Sequence, residues 1–312
     1  MNRIAIIGCG GVGGYFGGKL CQLRHEDPEL HLTMVARGEH LEAIRANGLT
    51  LNTEKEGSFT CQPSRATDDL ESLDEQDVIL LCVKEFDLAE TIKRMKTAIG
   101  QDTVVLPLLN GVDVYDRIRQ IQKSGKVFPA CVYVGTHIES PGVVTQKGGA
   151  CKILLGPDPQ SPDFIPQELL DKLTEAKVRF EWSPDVQSSI WEKFTFICSF
   201  GLITAAYDKV LGEVTETPEL RQRVEEIMAE IVGVASALKV DLPSDITQVA
   251  LAKADGFPYE TKTSFQRDFE RSDKRDEREL FAGAMLKYGE TLGIQLPRIA
   301  EMRHQIDQKK PQ

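Results

Sequence analysis

The sequence lacks the patterns that would assign it to a metal-binding, disulfide-rich or nucleic-acid-binding class. Its seven cysteines include no C-x-x-C pair, and none of its five histidines stands at a metal-ligand spacing. Neither a metal site nor a disulfide framework is therefore expected, and scattered thiols are typical of a reducing cytoplasm. There is no long Lys/Arg block and the net charge is -11, which argues against nucleic acid and membrane surfaces as partners.

Long hydrophobic runs are also missing. The longest mostly apolar stretch, residues 194–207, is too short for a membrane span and contains Ser199, Gly201 and Thr204, so it predicts a buried helix. Met1 is followed almost at once by an apolar run, which leaves no room for a signal peptide. We therefore expect a cytoplasmic protein. A length of 312 residues favours two domains over one.

The most informative stretch lies at the start of the chain. The apolar run Ile4–Ile7 predicts a strand, glycines follow as G-x-G-x-x-G, and a helix is predicted over 15–23. In this order the first glycine permits a tight turn, the second lets the backbone approach a pyrophosphate, and the third lets the helix pack on the strand. The helix N-terminus would offer N–H groups to the phosphates. The alternative is an ordinary Gly-rich turn. The dinucleotide site is predicted at Gly8, Cys9, Gly10, Gly11, Val12 and Gly13.

The second predicted strand, Leu30–Val35, is followed by Arg37. In dinucleotide-binding folds an acid near this position binds the 2′-hydroxyl of NAD, whereas an Arg suits the 2′-phosphate of NADP. The sequence therefore favours NADPH as the cofactor. The alternative for Arg37 is an exposed side chain in a loop.

Two later predicted strands are each followed by a polar residue at the carboxyl end. Lys84 follows the apolar run Val78–Val83, and Asn110 follows the run 103–109. Ligands in open α/β sheets bind outside the carboxyl ends of strands, so these side chains are placed where the nicotinamide half is expected. An ordinary polar strand end remains the alternative for each.

The rest of the amino-terminal half predicts more strands. A strand over 127–134 is expected to continue the sheet, residues 135–139 and 143–147 to form an antiparallel pair, and Ile153–Gly156 to add an edge. The predicted fold class is an α/β Rossmann-like domain over 1–184, with a mostly parallel, doubly wound sheet, followed by an all-α domain over 185–312. The predicted helices of that second domain are Asp185–Tyr207, Pro218–Lys239, Ser244–Lys253, Ser264–Tyr288 and Pro297–Ile306.

One lysine stands near the start of the apolar helix over 185–207. At helical spacing Lys193 shares a face with Ile197, Gly201 and Thr204. Desolvation would lower the pKa of its ammonium and make it a better proton donor at neutral pH. The alternative is that the side chain of Lys193 extends to the surface, as most lysines do.

Taken together, these motifs resemble the ketopantoate reductases (2-dehydropantoate 2-reductases) over the whole chain. The glycine motif is generic, whereas Lys84, Asn110 and the Trp-x-Lys motif are fairly specific. The motifs that carry the resemblance are Gly8-x-Gly10-x-x-Gly13, Arg37-Gly38, Val83-Lys84, Asn110-Gly111, Trp191-x-Lys193, and Ser264 followed by Asp276-Glu277 and Gly283.

The resemblance implies NADPH-dependent reduction of 2-dehydropantoate to (R)-pantoate, on the route to pantothenate and coenzyme A, in a cleft between the two domains. It implies catalytic roles for Lys193, as the general acid, and for Glu277. Lys84, Asn110 and Ser264 would bind the substrate, with Ser264 at its carboxylate. Lys84, Asn110 and Glu277 would also contact the cofactor.

The sequence departs from the family pattern one and two turns after the lysine. The family usually has asparagines there, whereas this chain has Ile197 and Gly201, which predicts a more apolar and roomier pocket. The spacing from Ser264 to Glu277 is also about one residue longer than usual. Two alternatives follow: a paralogue acting on a more apolar 2-oxo acid, and a non-catalytic NADPH-binding sensor. The expected partner is a small-molecule 2-oxo acid. The sequence leaves open whether the protein forms a homodimer.

Overall fold

The apolar run at the start of the chain forms the first strand of a parallel sheet. The computed structural model of the protein describes residues 1–271 and 275–309. The chain divides into two units, the first formed by Met1–Asn110 and Val114–Val186. The second consists of Gly111–Asp113 and the described part of Gln187–Gln312. Among the described residues, no helix has both the length and the apolarity that crossing a membrane requires.

The first unit contains the strands and five α-helices. The strands are β1 (Arg3–Ile7), β2 (His31–Val35), β3 (Leu49–Thr53), β4 (Gly57–Cys61), β5 (Arg65–Thr67), β6 (Val78–Leu81), β7 (Val104–Pro107), β8 (Lys126–Val127), β9 (Ala130–Tyr133), β10 (Thr136–Ser140), β11 (Val143–Gln146), β12 (Lys152–Leu155) and β13 (Arg179–Trp182). The helices are α1 (Gly11–Gln22), α2 (Gly38–Asn47), α3 (Glu85–Arg94), α4 (Val114–Ile121) and α5 (Gln167–Glu175).

The main sheet has six parallel strands in the order β5-β2-β1-β6-β7-β8. Counted along the chain, its strands follow the order 3-2-1-4-5-6, which is the doubly wound Rossmann arrangement. The predicted fold class of the amino-terminal half is therefore confirmed.

The central strands are continuous apolar runs because both faces of the sheet are covered. Side chains alternate across a strand, so Ile4 and Ile6 of β1 pack in one hydrophobic cluster while Ala5 and Ile7 pack in another. The same alternation divides β6. The apolar run that precedes Lys84 is therefore buried on both faces of the sheet.

Two smaller sheets complete the first unit. One has the order β10-β11-β3-β4, and the other has the order β13-β12-β9. The predicted antiparallel pair over 135–147 is confirmed as β10 and β11. The prediction that Ile153–Gly156 forms an edge is wrong, because β12 pairs with β9 on one side and with β13 on the other.

The predicted strand over 127–134 is also divided. Its first part, β8, pairs with β7 in the main sheet, whereas β9 pairs with β12 in the three-stranded sheet. Pro129 stands between them and cannot donate to a strand ladder, so continuous pairing stops there. Its carbonyl oxygen accepts a hydrogen bond from Gly156 N at 3.1 Å, on the side of the smaller sheet.

Helix α1 is packed between the main sheet and the four-stranded sheet, and its glycines permit this. A β-carbon on Gly17 would lie 2.9 Å from Ile6 of β1, and one on Gly14 would lie 2.6 Å from Val144 of β11. Both distances are shorter than real β-carbons show, so the helix depends on glycine at both faces. The helix begins at Gly11, with residues 8–10 between it and the end of β1.

The second unit is helical. Buried aromatic rings connect its helices: Phe194 stacks on Phe281 with ring centroids 6.1 Å apart, and Phe265 lies 5.1 Å from Phe281. The predicted all-α character of this half is confirmed. The helices are α6 (Val186–Tyr207, whose first residue belongs to the first unit), α7 (Leu211–Glu216), α8 (Pro218–Ala237), α9 (Ile246–Asp255), α10 (Ser264–Phe269), α11 (Ala284–Leu292) and α12 (Pro297–Lys309).

The prediction of one helix over Ser264–Tyr288 is wrong. Helix α10 ends at Phe269, and a π-helical turn over Glu279–Gly283 leads into α11. Part of the predicted helix, residues 272–274, lies outside the described residues. Asp276 explains the restart, because its carboxylate accepts a hydrogen bond from Arg278 N at 3.1 Å. A side chain that bonds to the backbone in this way favours a turn over helix interior.

Candidate functional site

Four neighbouring strands of the main sheet end at the same level. The register pairs Ile7 with Val35 and with Leu81, and Leu81 with Pro107. The residues that follow these four ends therefore lie along one edge of the sheet. They include the glycine motif after β1, Arg37 after β2, Lys84 after β6 and Asn110 after β7. The structure thus brings the predicted cofactor residues of the first unit together.

The first and third glycines of the motif are required by the protein itself. Gly8 has a φ of 93°, in the left-handed region, and a β-carbon there would lie 2.9 Å from the carbonyl oxygen of Cys82. A β-carbon on Gly13 would overlap the carbonyl oxygen of Gly8. Their roles in the turn and in helix packing follow the sequence prediction.

Gly10 is different, because nothing in the described protein crowds it. Beyond its own chain neighbours, no described residue comes within 4 Å of a β-carbon built on Gly10, and its φ of -75° suits any residue. Gly10 is the N-cap residue of α1 and has no side chain that could cap the helix, and the N–H groups of a first helical turn have no intrahelical partners. An open glycine beside an uncapped helix N-terminus fits the pyrophosphate of a dinucleotide.

Cys9, Gly11 and Val12, the other residues of the motif, shape the turn and the start of α1 through their backbone. The Cys9 amide donates to the carbonyl oxygen of Val35 at 2.9 Å, and its thiol is buried, which raises the pKa of Cys9 well above the usual range. Gly11 is crowded by Thr136, whose carbonyl oxygen would lie 2.8 Å from a β-carbon. Gly11 and Val12 are half-buried and form the first turn of α1.

Arg37 lies at the N-terminus of α2 and points largely into solvent. Its side chain is 64% exposed, and Nη1 lies 3.1 Å from Oδ2 of Asp87. Asp87 belongs to the first turn of α3 and is 21% exposed. The guanidinium therefore lies at the edge of the sheet with a carboxylate of the same unit bound to it. Asp87 was not singled out from the sequence, in which only its place in a helix is visible.

Lys84 and Asn110 follow their strands by three residues each. Lys84 is exposed and forms the N-cap of α3, and Asn110 is half-buried at the last position of the first unit's opening segment. Asn110 is followed by Gly111, whose φ of 119° bends the chain as it leaves the sheet. Both side chains carry groups that can hydrogen-bond to a ligand at this edge.

Lys193 belongs to the second unit, on helix α6. It is half-buried, as is Ile197, while Gly201 and Thr204 further along the same face are buried. A β-carbon on Gly201 would meet Phe265 at 3.4 Å. That is an ordinary van der Waals distance, so a β-carbon would fit there, and the roomier pocket stays a prediction. The prediction of a more apolar face agrees with this contact.

A chain of hydrogen bonds links this helix to Ser264. The Gln266 amide donates to Thr263 Oγ1 at 3.2 Å, and Thr204 Oγ1 donates to the Gly201 carbonyl oxygen at 3.1 Å. The two hydroxyls lie 2.8 Å apart, so Thr263 is left to donate to Thr204. Thr263 caps α10, and exposed Ser264 is the first residue of that helix.

Glu277 stands beside a buried ion pair. Its side chain is 4% exposed, and on either side of it Asp276 and Arg278 are buried as well. Arg278 donates from Nε and Nη2 to Asp276, at 2.8 and 2.7 Å, and from Nη1 to Asp307 at 2.6 Å. The π-helical turn starts two residues after Glu277, and such turns are frequent at functional sites.

Three neighbours of the candidate residues were not singled out from the sequence. Asp87, Phe265 and Thr263 all lie within helical or turn patterns that ordinary surface and core residues share. Only Thr263 had a usable signal, since residues 263–266, Thr-Ser-Phe-Gln, match the T-x-x-Q pattern that marks a helix N-terminus. In the described part of the chain, no group of three or more His, Cys, Asp or Glu side chains is arranged to hold a metal ion.

Comparison with known proteins agrees with this geometry. The family model "Ketopantoate reductase PanE/ApbA" matches residues 4–160, and its C-terminal counterpart matches residues 185–310. The 2-dehydropantoate 2-reductase of Mesorhizobium japonicum is 28% identical over 289 residues, which is 86% of each chain. That of Streptococcus pyogenes is 26% identical and covers 96% of each chain.

Solved structures show the same fold. A PanE/ApbA family ketopantoate reductase from Ralstonia eutropha has a TM-score of 0.87 and 28% identity, over 98% of this chain and 97% of that one. A D-mandelate dehydrogenase with NADH and anilino(oxo)acetate has a TM-score of 0.84 and 23% identity, over 98% and 97%. At that identity the second likeness shows the fold alone. Both halves of the chain are matched by family models, and the protein belongs to the ketopantoate reductase family of oxidoreductases.

Proposed function

We propose that this chain is an NADPH-dependent reductase of 2-oxo acids, with 2-dehydropantoate as the leading substrate and (R)-pantoate as the product, in the cytoplasm on the route to pantothenate and coenzyme A. The observation that carries the proposal is the open position at Gly10 beside the uncapped start of α1. Together with Arg37 at the end of the neighbouring strand, it fits a phosphorylated dinucleotide in a chain of this family.

In this proposal the first unit, with its boundary near residue 184, binds the cofactor and the helical unit acts on the substrate. NADPH, when bound, supplies a hydride to the ketone carbon. The α1 N-terminus holds the pyrophosphate and Arg37 holds the 2′-phosphate. Lys193 donates the proton as negative charge develops on the ketone oxygen.

The remaining proposed roles concern orientation of the substrate. Ser264 holds the substrate carboxylate, and its helix is fixed to α6 through Thr263 and Thr204. Lys84 and Asn110 contact cofactor and substrate at the edge of the sheet. Glu277 completes the pocket and positions the substrate. Each of these assignments comes from the family resemblance.

A second candidate is reduction of a more apolar 2-oxo acid. Ile197 and the contact of Phe265 with Gly201 favour it, since they put hydrocarbon where the family usually has amides. The D-mandelate dehydrogenase of the same fold holds anilino(oxo)acetate, an acid with an aromatic ring. A site without a hydrogen-bonding partner for a substrate hydroxyl discriminates poorly in favour of that hydroxyl.

The test compares kcat/KM for 2-dehydropantoate with values for apolar 2-oxo acids such as benzoylformate, with NADPH as the donor. Higher values for 2-dehydropantoate support the first candidate, and higher values for the apolar acids support the second. Ile197→Asn should shift the ratio toward 2-dehydropantoate, whereas Val249→Asn, at an exposed site of α9, should leave it unchanged. NADPH binding without turnover of any 2-oxo acid would support the alternative of a non-catalytic NADPH-binding sensor.

A further inference from the structure

The contact between Arg37 and Asp87 crosses the end of the central strand. Arg37 follows β2 and Asp87 belongs to α3, which follows β6. These two strands lie on either side of β1, so the ion pair spans the edge of the sheet at which the glycine motif begins. It therefore lies where the adenosine ribose of a dinucleotide is expected.

The carboxylate is the better-fixed member of this pair. The Asp87 backbone amide donates to the Lys84 carbonyl oxygen at 3.0 Å, and the first turn of a helix stabilises negative charge. Glu85, in the same first turn of α3, is paired with Arg117 instead. Asp87 is 21% exposed, against 64% for Arg37. The guanidinium thus rests on a carboxylate that the helix holds in place.

We propose that Asp87 is a specificity residue for the coenzyme, which lowers the preference for NADPH over NADH by competing for Arg37. A 2′-phosphate needs the guanidinium and must share or displace the carboxylate, whose like charge also opposes it. The 2′-hydroxyl of NADH brings no charge, and it can donate a hydrogen bond to a carboxylate. The inference rests on the proposed function only in requiring that the edge of the sheet binds a dinucleotide.

The size of the effect follows from the exposure of the pair. An ion pair between exposed side chains changes an equilibrium constant by at most a few-fold, and salt screens the interaction. Replacing Asp87 by the isosteric Asn is therefore expected to tighten binding of a 2′-phosphorylated nucleotide by about two- to fivefold at low salt. Binding of the nucleotide without that phosphate should stay unchanged or weaken.

The experiment titrates the full-length protein with adenosine 2′,5′-bisphosphate and with AMP, and then with NADPH and NADH, by calorimetry. The variants are Asp87→Asn, Arg37→Gln and both together. Glu90→Gln is the control, because Glu90 is an exposed carboxylate on the same helix. We expect Asp87→Asn to raise the selectivity for the 2′-phosphate, Glu90→Gln to leave it unchanged, and the gain from Asp87→Asn to shrink when Arg37 is replaced.

The outcomes separate this inference from the proposed function. Unchanged or reduced selectivity in Asp87→Asn, with wild-type binding intact, overturns the role of Asp87 and leaves the reductase proposal standing. A gain of equal size in Glu90→Gln also overturns it, because a general charge effect would then suffice. Failure of the wild-type protein to bind either coenzyme overturns the cofactor site itself, and with it both proposals.

Discussion

A side chain on Gly13 would overlap the carbonyl oxygen of Gly8, so these two residues hold the start of α1 directly against the end of β1. Gly10, between them, is not constrained in this way, since the described protein leaves its β-carbon position open. Gly13 and Gly10 therefore meet different requirements, although they belong to one motif. Gly13 serves the fold, whereas Gly10 leaves room for a ligand.

Alanine at each position should separate these requirements. Gly13→Ala is expected to destabilise the protein by about 1–3 kcal/mol, because overpacking forces the helix away from the turn. Gly10→Ala should keep the wild-type Tm and weaken NADPH binding, since a methyl group fills the space beside the helix end. Thermal unfolding and NADPH titration of both variants check this. Wild-type NADPH affinity in Gly10→Ala would contradict the assignment.

Arg37 should discriminate between the two coenzymes. Arg37→Gln removes a charge-assisted contact worth about 1.5–3 kcal/mol, so NADPH binding should weaken by about tenfold to a hundredfold while NADH binding changes little. Arg45→Gln, also on α2 and half-exposed, is the matched control and should affect neither. Equal losses for both coenzymes in Arg37→Gln would argue against a phosphate contact.

The pair of threonine hydroxyls should stabilise the helical unit. Thr204→Val keeps the shape and removes the acceptor for Thr263, at a cost of about 1 kcal/mol in the free energy of unfolding. Thr263→Val also removes the cap of α10 and should cost about 1–2 kcal/mol. Because the hydroxyls interact, the double variant should lose less than the sum of the two. Additive losses in urea denaturation would show that the two residues act independently.

His40 should make stability depend on pH. The Gly142 amide donates to His40 Nδ1 at 2.9 Å, so the imidazole is neutral. Burial lowers the pKa of His40 below its usual value, and the backbone of Cys9 partly opposes the shift. Below the unfolded pKa of about 6.5 the unfolded chain binds a proton that the folded one does not, so stability falls as the pH falls through this range.

The comparison is with His40→Gln, which has no proton to gain at this site. Acidification from about pH 7 to pH 5 should lower the urea midpoint of the wild-type protein more than that of His40→Gln. Identical pH profiles for the two proteins would exclude His40 as the source of the dependence.

Much of the main sheet could be predicted because its strands are apolar on both faces and end in recognisable turns. The run before Lys84 and the run before the glycine motif both appear as parallel strands. The smaller sheets could not be assigned in this way. A short strand joins one sheet or another according to partners that are distant in the sequence, as when β11 pairs in parallel with β3. The local sequence pattern does not indicate such partners.

Local sequence patterns were also insufficient to predict the helices of the second unit. The sequence pattern over 264–288 predicted one helix, yet Asp276 turns the chain by binding the backbone and guanidinium of Arg278. The short helix Leu211–Glu216 was not predicted, because six residues are too few for a clear periodicity. Likewise, the side chain that lies beside Gly201 is that of Phe265, 64 positions further along the chain, which no local pattern indicates.

The central claim is that Lys193 donates the proton to a 2-oxo acid, and the most direct measurement is the turnover of Lys193→Ala together with its affinity for NADPH. Loss of a positioned general acid typically costs about 10²–10⁴ in rate, so kcat should fall by that factor while the NADPH Kd stays close to wild type. Lys287→Ala, at an exposed site of α11, should keep full turnover. Wild-type turnover in Lys193→Ala would contradict the account.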